Sequence, residues 1–381
     1  MATIVNWDTL RELAGTRSER GCAISLYLGL DPSVAPTAPD VAARVNALLA
    51  HGERKLHARR DELTHEARKG VQTDLERIRR WFAEDFDRSG TAGVAVFASA
   101  PDGLFRTLSL AAPVDDEVRL DRDLMLAPLV ALVGKGEGPL VAVVNRERGD
   151  VYRLEDGSFV QVADLTEEQG GLRRSDQGGW SQSNYQRWFD EVAEKHMKDV
   201  AEELNRRVRE RRVPVVVVGP EEIRSEFVDA LAQDTRTALL GWAAAEAHAT
   251  PAQVLDAISP LLEEAEAAEE AELLERWREL AARGDRGTAG WADTLEALSD
   301  GRVEVLLVAE GSNRTVWQCP ACGRAAASSG ECPLDGIAMD ERENGVDVAL
   351  HRALTHGSLV EVVRHHDDLG PAEGVGALLR Y

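Results

Sequence analysis

A multidomain protein of mixed α/β type is predicted from three observations. The chain has 381 residues, against about 100–200 for an ordinary domain. Hydrophobic residues make up 44% of it, enough for packed cores, which excludes a disordered chain. Short apolar runs of strand length alternate with longer charged segments of helical spacing, the pattern of sheets covered by helices.

In chain order, Ala23–Leu30 (AISLYLGL) reads as a strand and 42–86 as one long or two consecutive helices. Gly93–Phe97 and Leu104–Leu110 read as strands joined through the turn Pro101-Asp102-Gly103. The run Gly134–Pro139 breaks the pattern. Leu140–Asn145 (LVAVVN) opens a second unit, with a turn over Glu147–Asp150 and a strand at Val151–Leu154. A polar, Gly-rich stretch covers 165–184, longer than most structureless loops of a compact domain and so a candidate for function. A long helix is expected over 185–212. Val213–Val218 (VPVVVV) is fully apolar, hence a buried strand, and a helix follows over 221–232. The acidic segment 251–282 reads as a helix with a solvated face. In the last part Val303–Val308, Leu359–Val363 and Gly374–Tyr381 read as strands and Val346–Thr355 as a helix. The expected division is an N-terminal α/β domain 1–135, a central domain 138–250, a linking acidic helix 251–286 and a C-terminal α/β domain 287–381.

Charge narrows the classes of partner. Lys and Arg number 44 and Asp and Glu 67, a net of −23. Such a surface repels nucleic acid and anionic membranes on average, so any RNA contact must come from a local basic patch. The stretch MATIVNWDTL has no basic and apolar leader pattern, and no apolar run approaches about 18 residues. A cytoplasmic protein with no membrane or DNA partner is expected.

The segment 170–188 reads GGLRRSDQGGWSQSNYQRW. Gly178 and Gly179 permit a close approach of main chain to substrate. Gln182 and Gln177 are the nearest amides. A glutamine does not titrate near neutral pH, but its amide can orient a water or donate to a developing oxyanion. Arg173 and Arg174 suit phosphate. Between 173 and 212 ten basic residues, among them Arg187, Lys195, Lys198 and Arg206, stand against eight acidic ones. Against the chain average, that local surplus marks the segment as the candidate RNA-facing surface.

The run RRSDQGGWSQS with its following charged helix resembles the Gly-Gly loop of archaeal and eukaryotic class I release factors and of Pelota-like proteins. It is more similar still to the Vms-type peptidyl-tRNA hydrolases, whose loop carries an Arg-Arg pair, two glycines and Ser-Gln-Ser. The terminal GVGALLRY is similar to the closing strand of the third domain in those proteins. The resemblance covers roughly 138–381. It implies three domains with a central RNase H-like domain that carries the loop and its long helix. It places the essential glutamine at Gln182, the glycines at Gly178 and Gly179 and the Arg pair at Arg173 and Arg174. It also implies action at the CCA end of tRNA in the large ribosomal subunit, with peptidyl-tRNA as substrate and a translational GTPase as a further partner. Release factors have Gly-Gly-Gln in direct succession, whereas Trp180 and Ser181 intervene here, and Gln177 stays as the alternative. The Asn-Ile-Lys-Ser stretch of stop-codon readers is missing. The function so implied is a ribosome-rescue hydrolase. A non-catalytic ribosome hibernation or A-site occupancy factor and a tRNA CCA-end nuclease stand beside it.

Of four cysteines, Cys22 stands alone in an apolar strand and is read as a core residue. Cys319-Pro-Ala-Cys322-Gly and Cys332-Pro-Leu-Asp335-Gly are two knuckles of the same design. Paired ligands around a tight glycine turn suit tetrahedral Zn²⁺. The expected site is a structural zinc knuckle over 319–336 with Cys319, Cys322, Cys332 and Asp335, the alternatives being His351 or His356 as fourth ligand, or a site that has lost its metal. No nucleotide cofactor is expected, since Gly134–Gly138 lacks the spacing of a phosphate loop. His365-His366-Asp367-Asp368 is read as an exposed turn.

Overall fold

A computed structural model of the protein describes residues 5–19, 21–31, 33–110, 112–133, 138–145, 149–155, 158–164, 197–245 and 249–381. It resolves into two compact units, one made of 1–133 together with 270–381, the other of 134–269.

The first unit starts with α1 (Trp7–Ala14), capped by the Asn6 side chain, which accepts from the Thr9 N–H. Strand β1 (Ala23–Gly29) is buried along its whole length. Two helices follow, α2 (Ala38–Ala58) and α3 (His65–Glu84). The 42–86 stretch is thus broken at Arg59–Thr64. Thr37 and Asp40 form a reciprocal capping box at the start of α2, and Thr64 caps α3. Strands β2 (Gly93–Ser99), β3 (Leu104–Leu110) and β4 (Glu117–Asp121) and the short helix α4 (Ala127–Val130) complete this part. The sheet order is β3-β2-β1-β4, antiparallel throughout. Period-two alternation divides its side chains between two cores. Ile24, Leu26, Leu28, Val94 and Val96 meet Val45, Leu49, Val71 and Ile78 of α2 and α3. Tyr27, Ala95 and Phe97 belong to a second core.

The second unit is built on β5 (Leu140–Val144), β6 (Gly149–Glu155), β7 (Ser158–Asp164), β8 (Val215–Val218) and β9 (Leu239–Ala243). The helical stretch 197–210, here α5, precedes β8; α6 (Arg224–Ala230) and α7 (Gln233–Ala238) separate β8 from β9. The sheet order is β7-β6-β5-β8-β9. Numbered within the unit this is 3-2-1-4-5, with the second strand alone antiparallel to the rest. That is the RNase H-like arrangement. Leu140, Ala142, Val215 and Val217 face Val200, Leu204 and Val208 of α5 and Phe227 of α6. Val141, Val143, Val216 and Val218 face the other way, onto Val254 and Ile258. Burial on both faces is why these strands read as continuous apolar runs.

Helix α8 (Pro251–Ala282) begins in this unit, and its later residues Leu274 and Trp277 enter a core of the first unit. There, β10 (Gly287–Ala289), α9 (Trp291–Ser299), β11 (Val303–Ala309), β12 (Val316–Gln318), β13 (Ala325–Ala326), β14 (Asp340–Arg342), α10 (Gly345–Thr355), β15 (Leu359–Val363) and β16 (Val375–Leu379) follow. They form a mixed sheet of order β10-β16-β11-β15 and a small antiparallel sheet of order β13-β12-β14.

The two sequence-distant parts of the first unit share one core. Leu13, Tyr27 and Phe97 lie in the same apolar cluster as Trp291, Leu295, Leu306, Leu350 and Leu379. Polar groups fix the match. Arg119 Nη2 donates to Asp347 Oδ2 at 2.5 Å, both residues being buried. The other Asp347 oxygen accepts the N–H groups of Leu126 and Ala127, at 2.8 and 3.0 Å, where α4 begins. His351 lies 3.1 Å from the Ala14 carbonyl and 2.7 Å from that of Leu124.

One expectation for 251–282 is corrected. Its acidic residues do not all face solvent: Glu270 is 2% exposed. Its carboxylate accepts the backbone N–H groups of Arg364, His365 and His366, each at 2.9 Å. Three main-chain donors converge there, so one helix residue ties the segment after β15 to α8. Glu270→Ala is expected to lower stability by about 2–4 kcal/mol, because it strands those donors, whereas Glu270→Gln keeps an acceptor and costs less. Denaturant midpoints of the two variants check this order.

Candidate functional site

The cysteine cluster is set by local backbone chemistry. After Cys319 the chain turns so that the Gly323 N–H reaches the Cys319 carbonyl at 2.9 Å, while the Cys319 N–H donates to the Arg324 carbonyl at 2.8 Å. The second knuckle repeats this: Gly336 N–H to the Cys332 carbonyl and Cys332 N–H to the Ile337 carbonyl, both at 2.8 Å. Gly323 and Gly336 have φ of 72° and 65°, a region that a side chain strains. Hence the glycine after each second ligand. The small sheet of β12, β13 and β14 carries the first knuckle on the β12–β13 connection and the second between β13 and β14.

The ligand atoms of Cys319, Cys322, Cys332 and Asp335 all lie within 4.8 Å of one another. Cys319 Sγ is 3.1 Å and Cys332 Sγ 3.5 Å from Asp335 Oδ2, and Cys322 Sγ is 3.5 Å from Cys332 Sγ. A tetrahedral zinc held about 2.3 Å from each sulfur sets its ligands about 3.8 Å apart, so the donor set fits such an ion. Of the possible fourth ligands the structure brings Asp335 to the cysteines. His351 is instead held in the core by two carbonyls. The four groups lie close enough to hydrogen-bond to one another. A hydrogen bond to the Asp335 carboxylate keeps the proton on Cys322 and pushes its pKa up to about 12, and the same contact holds Asp335 below the usual carboxylate range.

Reading the sequence alone missed Arg324 and Arg352 beside this cluster. Arg324 is anchored by Asp300 at 2.7 Å and Arg352 by the Ser299 carbonyl at 3.0 Å. Burial lowers the pKa of Arg352, and the charge of Cys322 opposes that shift. Arg352 thus brings positive charge to the thiols of the cluster, while Arg324 shares its charge with Asp300. The signal in the sequence was only the Arg directly after the first knuckle.

Of the residues assigned to the loop and its helix, Gln182, Gly178, Gly179, Arg173, Arg174, Arg187 and Lys195 lie outside the described residues. Lys198 and Arg206 are on α5. Lys198 is exposed. Arg206 donates to Glu203 at 2.6 and 2.9 Å and to Glu210 at 2.6 Å, and these hydrogen bonds push its pKa above the usual arginine value. Arg207 pairs with the same Glu203 at 2.6 Å and donates to the Val162 carbonyl of β7. A phosphate approaching Arg206 therefore competes with two carboxylates, and the surplus of charge counted from sequence is partly neutralised within the helix.

No helix among the described residues is long and apolar enough to cross a membrane.

Residues 125–266 match the model of the bacterial archaeo-eukaryotic release factor family 10. No curated protein matches the chain. Among solved structures, Pelota of Archaeoglobus fulgidus is similar at 15% identity, over 100% of this chain and 94% of that one, with a TM-score of 0.39. Dom34 of S. cerevisiae, described as a translation termination-like factor, is similar at 12% over 78% and 77%, TM-score 0.37. The archaeal translation termination factor aRF1 is similar at 18% over 99% of each chain, TM-score 0.26. At these scores the assignment rests on the match over 125–266. That stretch contains the whole five-stranded sheet, the Gly-Gly segment and α5, and over it the chain is similar to the bacterial archaeo-eukaryotic release factors.

Proposed function

We propose that the protein is a ribosome-rescue peptidyl-tRNA hydrolase that frees nascent chains from stalled ribosomes or large subunits. The observation that carries this reading is the family match over 125–266, which encloses RRSDQGGWSQS between β7 and α5. In it, Gly178 and Gly179 let the main chain approach the CCA end of the tRNA. The Gln182 amide orients the attacking water and donates to the oxyanion that forms at the ester carbonyl. Arg173 and Arg174 hold tRNA phosphate, with Arg187, Lys195, Lys198 and Arg206 behind them on rRNA or tRNA. The ribosomal large subunit and peptidyl-tRNA are the partners, with a translational GTPase for delivery. The division into domains 1–135, 138–250 and 287–381 joined by 251–286 belongs to the same reading.

Cys319, Cys322, Cys332 and Asp335 hold zinc in a structural role, since four protein ligands leave no position for a reacting water. Metal analysis of the purified protein is expected to find stoichiometric zinc in the wild type and none in the Cys319→Ser/Cys332→Ser variant.

The reading as a whole is tested by adding the protein to large subunits that carry labelled peptidyl-tRNA. Release of the labelled chain supports it. Stable association with the subunits and no release overturns it in favour of an occupancy factor.

A further inference from the structure

We infer that Cys322 and Cys332 are an oxidant-sensitive thiol pair: hydrogen peroxide joins them in a reversible disulfide, and joining them discharges the metal from the knuckles. The discharge rests on the zinc reading above, the pairing on geometry. Cys322 Sγ lies 3.5 Å from Cys332 Sγ, so a closure of about 1.5 Å reaches the S–S bond length of about 2.05 Å. Cys319 Sγ is turned to the Asp335 carboxylate, at 3.1 Å. The thiols also differ in access. Cys322 is exposed, whereas Cys319 and Cys332 are buried. A solution oxidant therefore meets Cys322 first, with Cys332 directly behind it to resolve the product. The backbone keeps the pair together: Cys322 stands on the β12–β13 connection and Cys332 between β13 and β14, and both β13 and β14 pair with β12. Cys22, just before β1, is a built-in control. It is buried, and burial pushes its thiol pKa up, which makes it inert.

A ligating cysteine is a thiolate, the nucleophilic form. The Cys322 thiolate attacks one oxygen of hydrogen peroxide. An S–O bond forms, the O–O bond breaks and hydroxide leaves, which makes Cys322 a sulfenic acid. The Cys332 thiolate then attacks Cys322 Sγ. The S–S bond forms, the S–O bond breaks and a second hydroxide leaves. Two protons from solvent turn both hydroxides into water, so the sulfurs give up two electrons and the peroxide takes two. Cys319 and Asp335 remain, two donors where a closed tetrahedral site needs four, and the ion passes to solvent. The disulfide then links the two knuckles in its place. A dithiol reductant reverses the bond by exchange and restores both ligands.

The test treats the purified full chain with a small excess of hydrogen peroxide. Zinc is followed with a chromogenic chelator, free thiols by alkylation after denaturation, and the linkage by peptide mass spectrometry. The expected result is loss of two of the four thiols, a bond between Cys322 and Cys332, and Cys22 and Cys319 still open to alkylation. Zinc should appear as fast as the thiols disappear, and dithiothreitol should return both thiols. Cys322→His leaves two cysteines, a histidine and an aspartate for the metal, and is expected to release it at least about tenfold more slowly under peroxide. Cys22→Ala should release it at the wild-type rate. Should Cys322→His fail to fold, the linkage found in the wild type decides alone. A bond between Cys319 and Cys322, a bond between two chains, or oxidation of Cys322 with Cys332 left free overturns the proposal. Protein isolated without zinc that still forms the Cys322–Cys332 bond would end the zinc reading and keep the pair. Zinc bound and no such bond under peroxide would do the reverse.

Discussion

Gln182→Ala is expected to slow nascent-chain release by about 10²–10³-fold, the usual cost of removing one preorganised donor from a developing oxyanion. The change deletes a neutral amide and leaves Arg173, Arg174 and the glycines in place, so association with the large subunit should hold at the wild-type level. Gln177→Ala should release at the wild-type rate. Single-turnover release with saturating protein separates the chemical step from binding. A loss of rate with Gln177→Ala and none with Gln182→Ala would move the catalytic assignment to the other amide.

Asp347→Ala carries the largest expected effect on stability. It would leave Arg119 as an uncompensated buried charge and strip the acceptor from two main-chain donors at the start of α4. Breaking a buried pair from one side costs about 3–5 kcal/mol. At roughly 2–4 °C per kcal/mol for units of this size, the melting temperature should fall by some 6–20 °C. Arg119→Met/Asp347→Leu, which removes both charges, should recover much of that loss, a pattern that surface substitutions would not give. Because this pair joins residues from the two ends of the chain, limited proteolysis of Asp347→Ala should cut first within 1–133 or 270–381 rather than in 138–250.

Much of the local structure was legible because local physics sets it. Val303–Ala309, Leu359–Val363 and Val215–Val218 are apolar runs with no other use than a strand, and Pro251–Ala282 is a helix over the whole acidic segment. Short elements of mixed polarity escaped notice. Strand β9 (LLGWA) sits at a sheet edge and is half-buried, and β7 (SFVQVAD) carries polar residues at every third position, Ser158, Gln161 and Asp164. The joining of 1–133 to 270–381 was not legible, since apolar side chains are not addressed to one another by sequence. Asp347, His351 and Arg119 read as ordinary polar residues until the fold brings them together. Glu270 was hidden by company: one buried carboxylate looks the same as six solvated neighbours until its three backbone donors are seen.

The candidate sites differ in the same way. The two knuckles are legible because ligand, spacing and glycine recur in one short stretch, and only the choice of Asp335 over a histidine needed the structure. The Gly-Gly segment is legible as a motif and through its family match. The closeness of Cys322 to Cys332 was not legible, since spacing groups Cys319 with Cys322 and only the fold sets sulfurs of different knuckles side by side.

The central claim is that this protein breaks the ester between peptide and tRNA. It is tested most directly by incubating it with large subunits bearing peptidyl-tRNA labelled in both parts, then examining the tRNA 3′ end. The expected result is free peptide and a tRNA with its CCA end intact. Peptide still joined to a terminal nucleotide, with a shortened tRNA, would contradict it and make the protein a nuclease.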